Sequence, residues 1–233
     1  RDFIEKQSPA GKDLSKIILE ARQKGDQYAG NAIADMEPSL KALSDAEASR
    51  FVSIVEEGLE PDTPALKNAV DTWKKIGDKV FSRAKTLGLD IEYISRYFPH
   101  FVPEEIIKNA RARKDGLRKA VQMGWAQTIT EAESKLNQFL LRKVYRRYGH
   151  LEKSREVDFP IYERDPRRVI PTYLDTAWHR IADAEFLGAA DEKAYGLADQ
   201  IAIQGGDANT VRDMLDLTFG KVVHPEFWSY LEN

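Results

Sequence analysis

The chain of 233 residues contains no cysteine. Disulfides, thiolate metal sites and cysteine nucleophiles are therefore excluded, and a reducing compartment is compatible. No apolar run approaches the roughly 18 residues that span a bilayer, and no signal-peptide pattern opens the chain. No membrane partner is expected. The sequence also lacks a repeat of 20 to 50 residues and any sustained period-two alternation. Phosphate-cradling glycine loops, a Ser-His-Asp order and an H-E-x-x-H signature are absent too. Glycines 205 and 206 of "IQGGDANT" read as a helix stop ahead of an Asp207 cap. The first residue is Arg1 rather than methionine, which points to a segment of a longer protein.

What is present is helix punctuation. Hydrophobic residues make up 42% and charged residues 31%, a balance that suits many exposed helices better than one thick globule. In "LSDAEASRFVSIVEEG" Ser44 and Glu47 form a capping box, Phe51, Val52 and Val55 follow at helical spacing, and Gly58 stops the run. Thr63 caps the next helix, Pro64 takes its first turn and Gly88 closes it, with a stripe from Leu66 through Trp73 to Leu87. That helix is about 36 Å long. A less sharply bounded helix covers Asp13 to Arg22. Further helices start at Pro103, in "DGLRKAVQMG", and after a Thr128–Glu131 capping box. Others run from Asp165 to Gly188, Glu192 to Ile203 and Ala208 to Phe219, with a short one after Pro225. The expected class is all-α, a multi-helix array of two bundles, residues 1–96 and 97–233.

Between those bundles lies "RYFPHFVP". Residues that precede proline are pushed toward extended backbone, so Phe98 and Val102 interrupt the helices. Tyr97, Phe98, Pro99, His100 and Phe101 are expected to form a structural seam. His100 would need an orienting partner to act as a general base, and Glu104, four residues on, is the local candidate.

Charge is unevenly spread. Residues 108–155 carry 13 Lys and Arg against 4 Asp and Glu, net +9, and the remainder carries 22 against 34, net −12. Such asymmetry speaks of partners rather than fold. Arg111, Arg113, Lys114, Arg118, Lys119, Arg142, Lys143, Arg146 and Arg147 are the candidate contacts. They suit phosphate, with Tyr145 and Tyr148 available for stacking. Equally they suit an acidic protein surface, such as "IVEEGLEPD" in the same or another molecule. Asp175, His179 and Asp183 fall at i, i+4 and i+8, a spacing that can ligate a divalent ion. Di-metal bundles, however, use Glu-x-x-His pairs, which are absent, and a solvated polar face is the preferred reading. No cofactor is expected.

The order "AKTLGLD", "YFPHF", basic helices with "TITEAESKL", then "REVDFPIYERDPRRVIPTYLDTAWHRIADAEFLG" resembles a segment of large bacteriophage and mobile-element multidomain proteins, the polyvalent and virion-associated polypeptides. The likeness runs from about Ala65 to Phe219. Its matching positions are Tyr97, Phe98, Pro99, His100, Arg155, Tyr173, Arg180, Ile181, Phe186 and Gly188. It implies a non-catalytic helical scaffold or assembly module in a virion or bacterial host cytoplasm, binding other virion or replication components or copies of itself. A nucleic-acid-binding module through residues 108–155 is the alternative, and a helical metalloenzyme the second.

Overall fold

The computed structural model describes residues 2–89, 91, 98–145 and 159–219, without the side chains of residues 139 and 141–145. Among the described residues there are ten α-helices and no strand, so the protein is all-α. They are α1 (Asp2–Gln7), α2 (Pro9–Lys41), α3 (Asp45–Glu57), α4 (Pro64–Thr86), α5 (Glu104–Lys108), α6 (Ala110–Gln122), α7 (Ile129–Tyr145), α8 (Pro166–Leu187), α9 (Glu192–Ile203) and α10 (Ala208–Thr218). None is long and apolar enough to cross a membrane. The expected helix after Pro225 lies outside the described residues.

Local chemistry sets most boundaries. The Ser44–Glu47 capping box is formed in full, and Gly58 closes α3 at φ 69°, a left-handed conformation that costs glycine little. Thr63 caps α4 through the Leu66 amide and also donates to Glu47 at 2.5 Å, so the starts of α3 and α4 are tied together. Two boundaries differ from expectation. The helix expected over Asp13 to Arg22 is only part of α2, which extends over 33 residues and about 50 Å. The helix begun at Pro103 stops at Lys108, because Asn109 turns extended and its Oδ1 accepts from the Arg111 and Ala112 amides to start α6.

α2 and α8 form the spine. They pack along much of their length, and Gly25 permits it: a Cβ there would lie 2.5 Å from His179 Cδ2. The largest core joins the second half of α2, α3, α4, Phe98 and α8, with Phe51, Leu66, Ile170 and Ile181 fully buried. A second core gathers α1, the start of α2, the end of α8, α9 and α10 around Leu14, Leu187, Ile201 and Val211. A third belongs to α5, α6 and α7, with Val102, Leu117, Leu136 and Phe159. The cores therefore do not divide at residue 97 as expected. α8 completes the core begun by α2–α4, contributing Val169, Ile170, Tyr173, Leu174 and Ile181 to it.

The α5–α7 unit is an insertion. Its helices pack chiefly on one another. The chain enters it through Phe98–Val102 and leaves it through Phe159–Asp165, and these two segments run together, the Glu163 amide donating to the Phe101 carbonyl at 2.8 Å.

Candidate functional site

The "FPHF" segment divides its residues between two environments. Phe98 is fully buried in the main core, edge-on to Phe51 at 6.0 Å and to Trp73 at 6.2 Å, and Trp73 in turn meets Tyr173 at 5.5 Å. Pro99 is also buried, and Phe101 packs half-buried against the same core. Tyr97 lies outside the described residues. The seam thus sits between the body and the α5–α7 insertion, rather than between two halves of the chain.

His100 faces α3. Its Nε2 lies 2.7 Å from Glu56 Oε1, and its ring stacks on Tyr162 with centroids 3.6 Å apart and planes 17° from parallel. Tyr162 donates its hydroxyl to the other Glu56 oxygen at 3.2 Å. Arg164 lies across from Tyr162, 5.5 Å from its ring centroid, and donates to Ser53 Oγ at 2.9 Å. One carboxylate on α3 therefore holds both the segment entering the insertion and the segment leaving it. The expected partner Glu104 instead pairs with Lys108 on α5. A carboxylate-oriented imidazole is what a general base requires. Here the His100 side chain is only 10% exposed and one ring face is covered, which suits a clamp better.

The residues considered as metal ligands have a structural arrangement too. His179 Nδ1 is 2.8 Å from the Asp175 carbonyl, and Nε2 is 3.0 Å from Asp26 Oδ1 on α2. This face of α8 is solvated as expected at Asp175, while His179 is half-buried against Asp26 of α2 and Asp183 is buried. Among the described residues no three His, Asp or Glu groups are placed to hold a metal ion.

Nearby, buried Arg180 donates to the Ala189 carbonyl and lies 3.8 Å from Asp191, which is also buried and adopts φ 60°. Burial of an ion pair is tolerated where further hydrogen bonds hold it. Arg180 therefore fixes the turn between α8 and α9. Of the positions expected to match phage polypeptides, Tyr173, Arg180, Ile181 and Phe186 all pack in the interior or against it, and Gly188 ends α8 at φ 94°. Arg155 lies outside the described residues.

The basic segment divides by helix face. Gly116, Leu117 and Ala120 are the buried side of α6, and Arg113 turns with them toward α7, bonding Asn137 and lying 3.5 Å from Glu133. Arg111, Lys114, Arg118 and Lys119 are on the exposed side, along about 12 Å of helix. Arg118 pairs with Asp115 at 3.1 Å. Arg111, Lys114 and Lys119 make no ion pair among the described residues, so the acidic "IVEEGLEPD" segment of the same molecule does not neutralise them. Within that segment Glu56 holds His100 and Tyr162, and Asp62 receives a two-pronged contact from Arg50. Arg142 and Lys143 lie on α7, and their side chains, like Arg146 and Arg147, lie outside the described residues. Exposed apolar residues flank α6, Ile107 before it and Met123 after it, 46% and 64% exposed. Nothing in the sequence marks either one as exposed, since neither interrupts a helical pattern.

No family model, curated protein or solved structure matches the chain.

Proposed function

We propose that the chain is a non-catalytic helical assembly module whose contact face is the exposed side of α6. The observation that carries this is the row of unpaired cations, Arg111, Lys114 and Lys119 beside Arg118, on an inserted unit held clear of the body's cores. An acidic protein surface is the preferred partner. The cationic row is bordered by Ile107 and Met123, and mixed apolar, Met and Arg surface is typical of protein interfaces. Trp125 does not offer itself to a base: it packs edge-on to Phe159 at 5.2 Å with Lys135 over its ring. The likeness to phage and mobile-element polypeptides supports the same reading, a component of a virion or of a host-cytoplasm replication assembly.

The test compares the wild type with an Arg111→Glu, Lys114→Glu, Arg118→Glu variant on immobilised poly-glutamate and on duplex DNA at about 50 mM salt. Retention of the wild type, release by added salt and loss in the variant are expected. Binding to neither polymer would refute the reading. Four phosphate contacts would give a slope of log K against log salt of about −3.6. Binding of that kind to DNA alone would turn the assignment to nucleic acid.

A further inference from the structure

The cationic row needs an acidic, partly apolar counterpart, and the chain itself carries one. α3 ends at Glu57, and the loop that follows it carries Leu59, 51% exposed, and the exposed Glu60, with Asp62 held by Arg50. Glu60 makes no ion pair among the described residues. The match is one of type: cations bordered by Ile107 and Met123 on α6, and carboxylates around Leu59 at the end of α3 and in the loop that follows. It also holds at the scale of the molecule, with net +9 over residues 108–155 and net −12 over the rest. Within one molecule the two surfaces are not joined, because Arg111, Lys114 and Lys119 remain without ion pairs among the described residues.

We infer that the partner of α6 is the loop after α3 of a second copy of this chain. This rests on the assembly reading above and names its partner. The two surfaces are different patches, so the contact is head-to-tail. Each copy offers its α6 row to one neighbour and its acidic loop to another, and the result is a closed ring or an open row of copies. Opposite charges steer such an encounter and fix its register, while the exposed Leu59, Ile107 and Met123 supply apolar area. Screening weakens the contact as the Debye length shrinks.

The experiment is sedimentation velocity of the full chain at about 0.05 M and about 0.5 M salt. The wild type is expected to form species larger than a dimer at low salt and to dissociate at high salt. Arg111→Glu, Lys114→Glu, Arg118→Glu should be monomeric, and so should Glu57→Lys, Glu60→Lys. Mixing these two variants at low salt sets the glutamate row of one against the lysine loop of the other, a charge-swapped but complementary contact, while like charges meet only between two copies of the same variant. The intact row and intact loop also pair between the two variants, so the mixture should recover salt-sensitive association in which the two variants alternate. Arg111→Gln, Lys114→Gln, Arg118→Gln is the gentler variant if charge reversal unfolds the protein, judged by circular dichroism. A wild type monomeric at both salts overturns the inference, as does self-association that ignores both substitution sets. If that monomeric wild type still binds poly-glutamate through α6, the assembly reading stands with a different acidic partner. If it binds only DNA, the partner is nucleic acid. If it binds neither, both readings fall.

Discussion

The His100 ring lies on the Tyr162 ring, 3.6 Å between centroids, and both side chains reach the one carboxylate of Glu56. This contact closes the neck of the α5–α7 insertion and anchors it to α3. A chain that leaves the body at Phe98 and returns at Tyr162 must hold its two ends together against loop-closure entropy. Stacking, a shared acceptor and the Glu163-to-Phe101 backbone bond do this at one place. The orientation of the cationic α6 face relative to the body then depends on a small cluster of residues.

The neck and the core make separable contributions, which two substitutions distinguish. Phe98→Ala removes a fully buried ring from a cluster with Phe51 and Trp73 and should cost about 3–5 kcal/mol. His100→Ala leaves Glu56 with Tyr162 and should cost less, about 1–2 kcal/mol. Urea unfolding of both variants measures the order. A Phe98→Ala protein as stable as the wild type would contradict the core assignment, and a His100→Ala cost equal to that of Phe98 would contradict the clamp.

The sequence displayed those parts of the fold that depend on nearby residues. Ser44 with Glu47, Gly58, and Thr63 with Pro64 delimit α3 and α4 by hydrogen bonds and backbone preferences within a few positions, and α9 and α10 were equally visible. The full length of α2 is not legible locally, since Gly25, Gly30 and Pro38 each count against a helix interior. Tertiary packing overrides them: Ala21, Ala29, Ala32 and Met36 are all buried. The cations of α6 were legible as composition, but the inward turn of Arg113 was not. The partners of His100 were out of reach, since Glu56 is 44 residues away and nothing local distinguishes it from Glu104. The burial of Asp183 is set by tertiary packing, which its place on the polar face of a helix does not show.

Two glycines on the same helix should respond in opposite ways. A Cβ on Gly30 meets nothing within 4 Å, so Gly30→Ala keeps the packing and lowers the entropy lost on folding, a gain of about 0.5–1 kcal/mol. At Gly25 the same methyl would press on the His179 ring, which the Asp175 carbonyl and Asp26 hold in place. Overpacking of that kind costs about 1–3 kcal/mol, enough to outweigh the helix-propensity gain. Thermal melts of Gly25→Ala and Gly30→Ala decide it. Stabilisation by both would mean that α2 and α8 are not in close contact at Gly25.

Acid should loosen the start of α8 through Asp165. Burial pushes its carboxyl upward, but the hydrogen bonds from the Arg167 side chain and backbone amide outweigh this and hold it below the ordinary value of 3.8. Arg167 also reaches Asp45 at 2.9 Å, so the same guanidinium joins the first turn of α8 to that of α3. Because the folded-state value is depressed, the stabilisation is fully present at neutral pH and is lost as the pH falls below about 4. Glu47, lowered first by the Thr63 hydrogen bond and then by those of Ser44, and Asp62, lowered by Arg50, add to the loss with the same sign. Asn caps a helix about as well as Asp but carries no charge. Asp165→Asn should therefore lower the melting temperature at pH 7, and its melting curve should fall less steeply between about pH 5 and pH 3 than that of the wild type. Asp165→Ala, which also loses the cap, should cost a further ~1 kcal/mol at every pH. Parallel profiles for wild type and Asp165→Asn would show that the Arg167 contacts do not favour the charged carboxylate.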